Sequence, residues 1–293
     1  MSLKLYKYFS SNQQWPLILE ALEYRLSKRI PGEIKIKKAF LNQLIAANIP
    51  FAKNDKGIEI EYQVNENLYK FFLRNNGSDI SVFIQILFRE EYKPLISLFK
   101  RLNLSITNFI DAGANVGFSS LYLSAFFPNS TFICLEPNPG NFAALSHNIG
   151  QNIKENNFIL LQKALWNKSV QLSGSNDFRD GKDWSFSVKE ESGIEGDIEG
   201  VTMDWILQKY NFDEVDFLKI DIEGAEASLF ENKRSVESWI DKIKVMAIEI
   251  HEETTSGFKI ENMLQNFGCR IYHCGELTIA VNKKLTHLLL NDE

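Results

Sequence analysis

The stretch FIDAGANVGFSS, residues 109–120, runs an apolar segment into Asp111 and then brackets a turn with Gly113 and Gly117. Glycine loops between a strand and a helix commonly cradle phosphates. This one lacks what a phosphate needs. A P-loop carries Lys-Ser/Thr after its last glycine, and Phe118 and Ser119 stand there instead. The dinucleotide fingerprint requires a glycine two residues after the first, where Asn115 sits. An acid at 111 repels a phosphate and attracts an ammonium group. Gly113 lets the backbone approach a ligand closely, and free N–H groups at the following helix start can take a carboxylate.

Glu136 ends the next apolar run, TFICLE, 25 residues after Asp111. That is near the usual separation for an acid that binds ribose hydroxyls in an α/β nucleotide site. A ligand with an ammonium, a carboxylate, a ribose and an adenine satisfies all of these groups, and S-adenosyl-L-methionine (AdoMet) is such a ligand. The plainer alternative is that Asp111 caps the helix and the glycines only turn the chain.

A methyl donor needs an acceptor held in line with it and a group to take the acceptor's proton. Asp221 follows the apolar run VDFLKI, a setting that desolvates a carboxylate and strengthens it as a base. It could equally orient the cofactor amine or cap the next helix. Glu223 and Glu226 follow it closely, and Lys219 shares its strand face, so a Lys219–Asp221 pair is expected. His251 ends VMAIEIH, and of the four histidines it alone falls at a predicted strand end on the ligand side. Glu249 lies two residues earlier on the same face and could orient it. Asp221, Glu249 and His251 could together bind a divalent metal, but no spacing demands one and none is expected.

These residues need elements that bring them to one edge. From about residue 106 the pattern alternates strand and helix. Strands are predicted at 108–112, 131–136, 157–165, 215–221 and 245–251, with helical stretches GFSSLYLSAFF and NPGNFAALSHNI between the first three. Continuous apolar strands with crossover helices form a buried parallel sheet, and ligands bind beyond the carboxyl ends of its strands. CRIYHC and ELTIAVN, separated by Gly275, read as a closing antiparallel hairpin. Residues 176–200 are polar and turn-rich, a long loop or irregular hairpin in which Trp184 and Phe186 could line a substrate pocket.

The leading segment differs. Residues 1–56 hold ten Lys/Arg against four acids, a surplus of six in a chain of net charge -6. Helices are predicted over 15–29 and again from Gly32 towards Pro50, then a hairpin from IEIEYQV and LYKFFLR, then one or two helices with Ser78 as N-cap. The expected division is a helical and hairpin extension over 1–105 and a cofactor-binding domain over 106–293. The basic extension could act as a lid or dock an acidic carrier protein, or simply present a solvated face.

The overall acidity gives no support for nucleic-acid binding. The three cysteines form no CxxC pair, and Cys269 and Cys274 have only His273 nearby, so free thiols in a reducing compartment are expected. With no apolar leader after Lys4 and Lys7 and no run of membrane-spanning length, the expectation is a cytoplasmic protein without membrane contact.

"FIDAGANVGFSS", "LEPNPGNF" and "FLKIDIEGAEASLFE", in that order with "VTMDWIL" and "EIH", resemble the motifs of FkbM-type methyltransferases over roughly residues 72–285. The resemblance implies a class I, AdoMet-dependent methyltransferase fold: an α/β, Rossmann-like, mostly parallel seven-stranded sheet with an antiparallel last strand. It implies that Asp111, Gly113, Asn115 and Gly117 surround the methionine part of the cofactor, with Glu136 on the ribose. It sets Asn138 beside the adenosine and Ala164 and Leu165 at the adenine. It also implies O-methylation of a hydroxyl on a small-molecule natural product or sugar, free or carrier-bound. Two rivals remain: a methyltransferase-fold binding protein without activity, and an NAD(P)-dependent Rossmann oxidoreductase, against which the missing glycine at 115 counts.

Overall fold

The computed structural model describes residues 32–75, 78–153, 157–175, 186–190, 196–251 and 257–286. The helix predicted over 15–29, together with Trp184 and His287, lies outside them. Contacts divide the chain after Arg89.

In the first unit, α1 (Gly32–Ala46) is followed by an antiparallel sheet of β1 (Phe51–Lys53), β2 (Gly57–Val64) and β3 (Asn67–Arg74). The expected hairpin is β2–β3, paired from Gly57 with Arg74 to Val64 with Asn67. β1 adds a third strand that three residues of FAK did not announce. Helix α2 (Ser78–Phe83) begins at Ser78 itself, and one π-helical turn, Ile84–Phe88, continues it. Phe40, Tyr62, Phe71 and Phe88 all meet Phe83 edge-on at centroid distances of 5.3–5.8 Å, so one ring organises this small core.

The second unit opens with α3 (Lys93–Arg101). Its apolar stripe of Leu95, Ile96 and Phe99 is buried, and Phe99 packs 5.0 Å from Phe217 of the main sheet. That contact is why this helix, although it precedes residue 105, belongs to the unit of the main sheet.

The main sheet has seven strands: β4 (Asn108–Ala112), β5 (Thr131–Leu135), β6 (Phe158–Leu161), β11 (Val215–Ile220), β12 (Ile243–Glu249), β13 (Arg270–Cys274) and β14 (Leu277–Val281). They lie in the order β13-β14-β12-β11-β4-β5-β6. Neighbours from β12 to β6 pair in parallel, while β14 is inserted antiparallel between β12 and β13. Every residue of β11 is buried, its two charged residues included: Asp216 accepts from Thr107 and Asn108 and pairs with Lys244, and Lys219 pairs with Asp111. Helices α4 (Phe118–Ser124) and α5 (Pro139–Asn152) follow β4 and β5 as crossovers.

The single strand expected over 157–165 is broken. Only β6 stays in the main sheet, and β7 (Ala164–Leu165) starts a second, four-stranded sheet. β10 (Ile198–Val201) pairs with β7 in parallel and with β8 (Val170–Ser175) antiparallel, and β9 (Ser187–Lys189) closes the edge. Where it is described, the polar stretch after residue 175 supplies two strands, β9 and β10, that pair on either side of β8 and not with each other, so it is neither a plain loop nor a hairpin of its own. Helix α6 (Met203–Lys209) returns the chain to β11, capped by Thr202, whose hydroxyl accepts the Trp205 N–H. No described helix is long and apolar enough to cross a membrane.

Candidate active site

Asp111, Glu136 and Asp221 stand at or just beyond the carboxyl ends of three adjacent strands, and His251 lies two residues past the end of a fourth. The loop after β4 is shaped by three left-handed residues, Gly113, Asn115 and Gly117, at φ +81°, +49° and +86°. Gly113 has no alternative: a Cβ there would stand 1.6 Å from the Asp221 carbonyl oxygen. At Gly117 a Cβ would meet the Leu145 side chain of α5 at 2.7 Å. The glycines thus let the loop pass against β11 on one side and α5 on the other.

Asp111 is wholly buried behind this loop. Its Oδ2 accepts hydrogen bonds from Ser119 (2.8 Å) and Ser120 (2.6 Å) at the start of α4. Its Oδ1 forms a 3.1 Å ion pair with Lys219, also buried. Lys219 donates to the Gly113 carbonyl at 2.9 Å and reaches Asp221 Oδ2 at 3.4 Å, the pair expected from their shared face. Burial acts to lower the Lys219 pKa, but Asp111 and Asp221 outweigh it and hold the ammonium well above its usual range. Lys219 therefore ties the glycine loop, the β4 acid and Asp221 together as a charged strut.

Glu136 is buried and faces the cleft. Its Oε2 accepts the Asn115 N–H at 2.8 Å, and its Oε1 accepts the Asn138 N–H at 2.9 Å and the Asn141 amide at 3.5 Å. Burial pushes its pKa up to about 7, against the lowering effect of those three bonds. Asn138 itself is the N-cap of α5, its side chain accepting from the Gly140 and Asn141 N–H groups. Asn141, which sequence reasoning did not single out, is the residue of this turn whose side chain reaches both Glu136 and the cleft.

A cleft beside these strand ends holds about 500 Å³ of space, part of it open to solvent. Gly113, Asn115 and Glu136 form one part of it, Ala164, Leu165, Phe186, Val188 and Ile222 supply apolar surface, and Asp221 and Glu223 stand on its wall. Lys163 also lines it but is paired with Glu199. Asp111, Gly117, Asn138 and His251 are not among its lining groups.

Beyond Asp221 the chain makes a tight turn in which Glu223 and Gly224 are both left-handed, at φ +50° and +90°. Glu226 opens the short helix α7 (Glu226–Leu229), is fully buried, and accepts the Ile222 N–H at 3.2 Å. Its Oε1 lies 3.0 Å from Nδ1 of His251, which is 1% exposed. On the other side of the ring, Nε2 lies 3.3 Å from Glu223 and 3.7 Å from Glu249. Burial alone would lower the imidazole pKa; the Glu226 bond and the charges of Glu226, Asp221 and Glu223 push it up to about 9. The charge of Asp221, then burial, pushes Glu249 up to about 8. Carboxylates thus face both ring nitrogens of His251 and favour its protonated form when no other cation is present.

The inserted antiparallel β14, the acids at successive strand ends and the glycine loop define the class I methyltransferase fold. A model of the methyltransferase FkbM domain matches residues 111–271, and the chain belongs to that family. The methyltransferase sdnD of Sordaria araneosa is 24% identical over 196 residues, covering 57% of this chain and 75% of its own. Among solved structures, the FkbM methyltransferase of Methylobacillus flagellatus KT aligns over 70% of this chain and 54% of its own, at 16% identity and a TM-score of 0.44. A SAM-dependent methyltransferase of Aquifex aeolicus aligns over 68% of this chain and 90% of its own, at 14% identity and a TM-score of 0.37.

Proposed function

We propose that the protein is an AdoMet-dependent O-methyltransferase acting on a hydroxyl of a small molecule, a natural product or sugar, free or carrier-bound. The observation that carries the cofactor reading is the donor set of the cleft: three acidic groups, Glu136, Asp221 and Glu223, with the one lining cation among the described residues, Lys163, already paired to Glu199. Such a wall disfavours the phosphates of a dinucleotide and suits a ligand with an ammonium and a sulfonium. The apolar surface of Ala164, Leu165, Phe186 and Val188 suits an adenine, and Glu136 suits a ribose diol.

When bound, AdoMet supplies a methyl group already activated on sulfur. The chain's own residues then have three tasks. Gly113 and Asn115, with Glu136, hold the cofactor. Lys219 fixes Asp221, leaving that carboxylate on the cleft wall to orient an acceptor hydroxyl and accept its proton. His251, clamped by Glu226, stands beside Glu223 and Glu249 and positions them behind the cleft wall. Asp111 acts through the fold, holding Ser119, Ser120 and Lys219. No nucleic acid or membrane partner is part of this reading, and cytoplasmic residence is.

The test is transfer of an isotope-labelled methyl from AdoMet into a host extract, with mass analysis of the products. Asp221→Ala and His251→Ala each depress transfer, by roughly 10²- to 10⁴-fold where proton transfer is lost, while AdoMet still raises the melting temperature. Wild-type turnover in both variants removes their assignment. Stabilisation by NAD and not by AdoMet sinks the methyltransferase reading.

A further inference from the structure

Methyl transfer as proposed leaves Glu249 with no direct part. Yet Asp221, Glu249 and His251 each offer one donor atom, and those atoms lie within 4.8 Å of one another. The three come from the ends of two adjacent parallel strands, β11 and β12, whose register sets Ile220 beside Ile248. Glu249 is the last residue of β12, and Asp221 and His251 stand one and two residues beyond the two strand ends, so the paired strands bring the three donors together. Behind His251 stands the wholly buried Glu226, 3.0 Å from Nδ1 and itself held by the Ile222 N–H. A carboxylate on the far ring nitrogen fixes an imidazole for coordination through Nε2.

A separate sign lies on the cleft wall. Asp221 Oδ1 has almost no exposed surface and, among the described residues, no hydrogen-bond partner, although Asp221 lines the cleft. The buried Glu226 Oε2 is in the same condition. A desolvated carboxylate oxygen with no donor is costly, and a cation is a ligand that relieves it.

We infer that Asp221, Glu249 and His251 form a site for one divalent first-row cation of the manganese class. Two carboxylates with one imidazole suit Mn²⁺ better than Mg²⁺, which prefers an all-oxygen shell. The site stands on its own donors. Its role rests on the proposed methyl transfer: a cation there would orient the acceptor hydroxyl and acidify it beside the cofactor cleft.

The experiment titrates Mn²⁺ into the metal-stripped full chain and follows free Mn²⁺ by electron paramagnetic resonance, with an AdoMet thermal shift run alongside. Wild type binds one Mn²⁺ per chain; Glu249→Gln and His251→Asn each bind it at least about tenfold more weakly and keep the AdoMet shift. Should either variant lose its cooperative melt, Asp221→Asn probes the same three donors. Wild-type Mn²⁺ affinity in the variants, or binding no tighter than about 1 mM in wild type, overturns the inference. So does a Glu249→Gln variant that loses AdoMet affinity while the wild type takes up no Mn²⁺, because the acids then serve the organic cation. Normal Mn²⁺ uptake without an AdoMet shift leaves the cation site standing and defeats the cofactor reading instead.

Discussion

Gly113→Ala tests the coupling between the glycine loop and Asp221. At φ +81° any Cβ is strained, by about 1–2 kcal/mol. The new methyl would also stand 1.6 Å from the Asp221 carbonyl oxygen, a backbone atom that cannot rotate away. Relieving that overlap means moving the loop or the end of β11, at a cost of about 1–3 kcal/mol. The sum is about 2–5 kcal/mol. At roughly 2–4 °C per kcal/mol for a unit of this size, melting falls by about 4–20 °C. Gly150→Ala is the control. It lies in α5 with nothing within 4 Å of the added Cβ, so it gains helix propensity of about 0.5–1 kcal/mol. Calorimetry on both variants, with AdoMet titration of each, reads the outcome. Gly113→Ala loses stability and cofactor affinity together, and Gly150→Ala loses neither. A Gly113→Ala protein with wild-type melting and wild-type AdoMet affinity refutes the reasoning about how the loop is held.

Two more outcomes come from buried charge. Lys219→Met leaves Asp111 without its countercharge and is expected to cost about 3–5 kcal/mol in urea unfolding; pairing it with Asp111→Asn should restore a measurable part, and strictly additive losses would count against the strut. Glu136, raised from 4.5 to about 7 in the folded state, contributes stability that is fully present below about pH 4.5 and is lost as pH rises through about 7. The ligand-free protein should therefore lose about 3 kcal/mol from this group across that window. Glu136→Gln should flatten the profile, and an equally steep profile in that variant contradicts the assignment.

The strand ends were legible because buried parallel strands are dense in apolar residues: NFIDA, TFICL and VDFLKI became β4, β5 and β11 within a residue, although Asp111, Asp216 and Lys219 are buried charges inside them. The closing hairpin was legible from Gly275 between two short runs. The break after Leu161 was not, because Gln162 and Lys163 do not interrupt an apolar run strongly, and what ends β6 is the pairing of Ala164 and Leu165 with β10 far along the chain. The site shows the same limit. Asp111, Glu136 and Asp221 could be found from spacing, but Ser119, Ser120 and Lys219 as the partners of Asp111 depend on how α4 packs against β4 and β11. His251 was found by position, whereas its charge state depends on Glu226, 25 residues away, and on the left-handed turn that delivers Glu223.

The central claim is that the acid-lined cleft after β4 and β5 binds AdoMet. Isothermal titration of the full chain with AdoMet, and separately with NAD, tests it most directly, using wild type and Glu136→Ala. The expected result is one AdoMet per chain in wild type, no comparable heat from NAD, and at least about tenfold weaker AdoMet binding without the Glu136 carboxylate, the loss of about 1.4 kcal/mol or more. No AdoMet binding in wild type, or AdoMet binding untouched by Glu136→Ala, would contradict it.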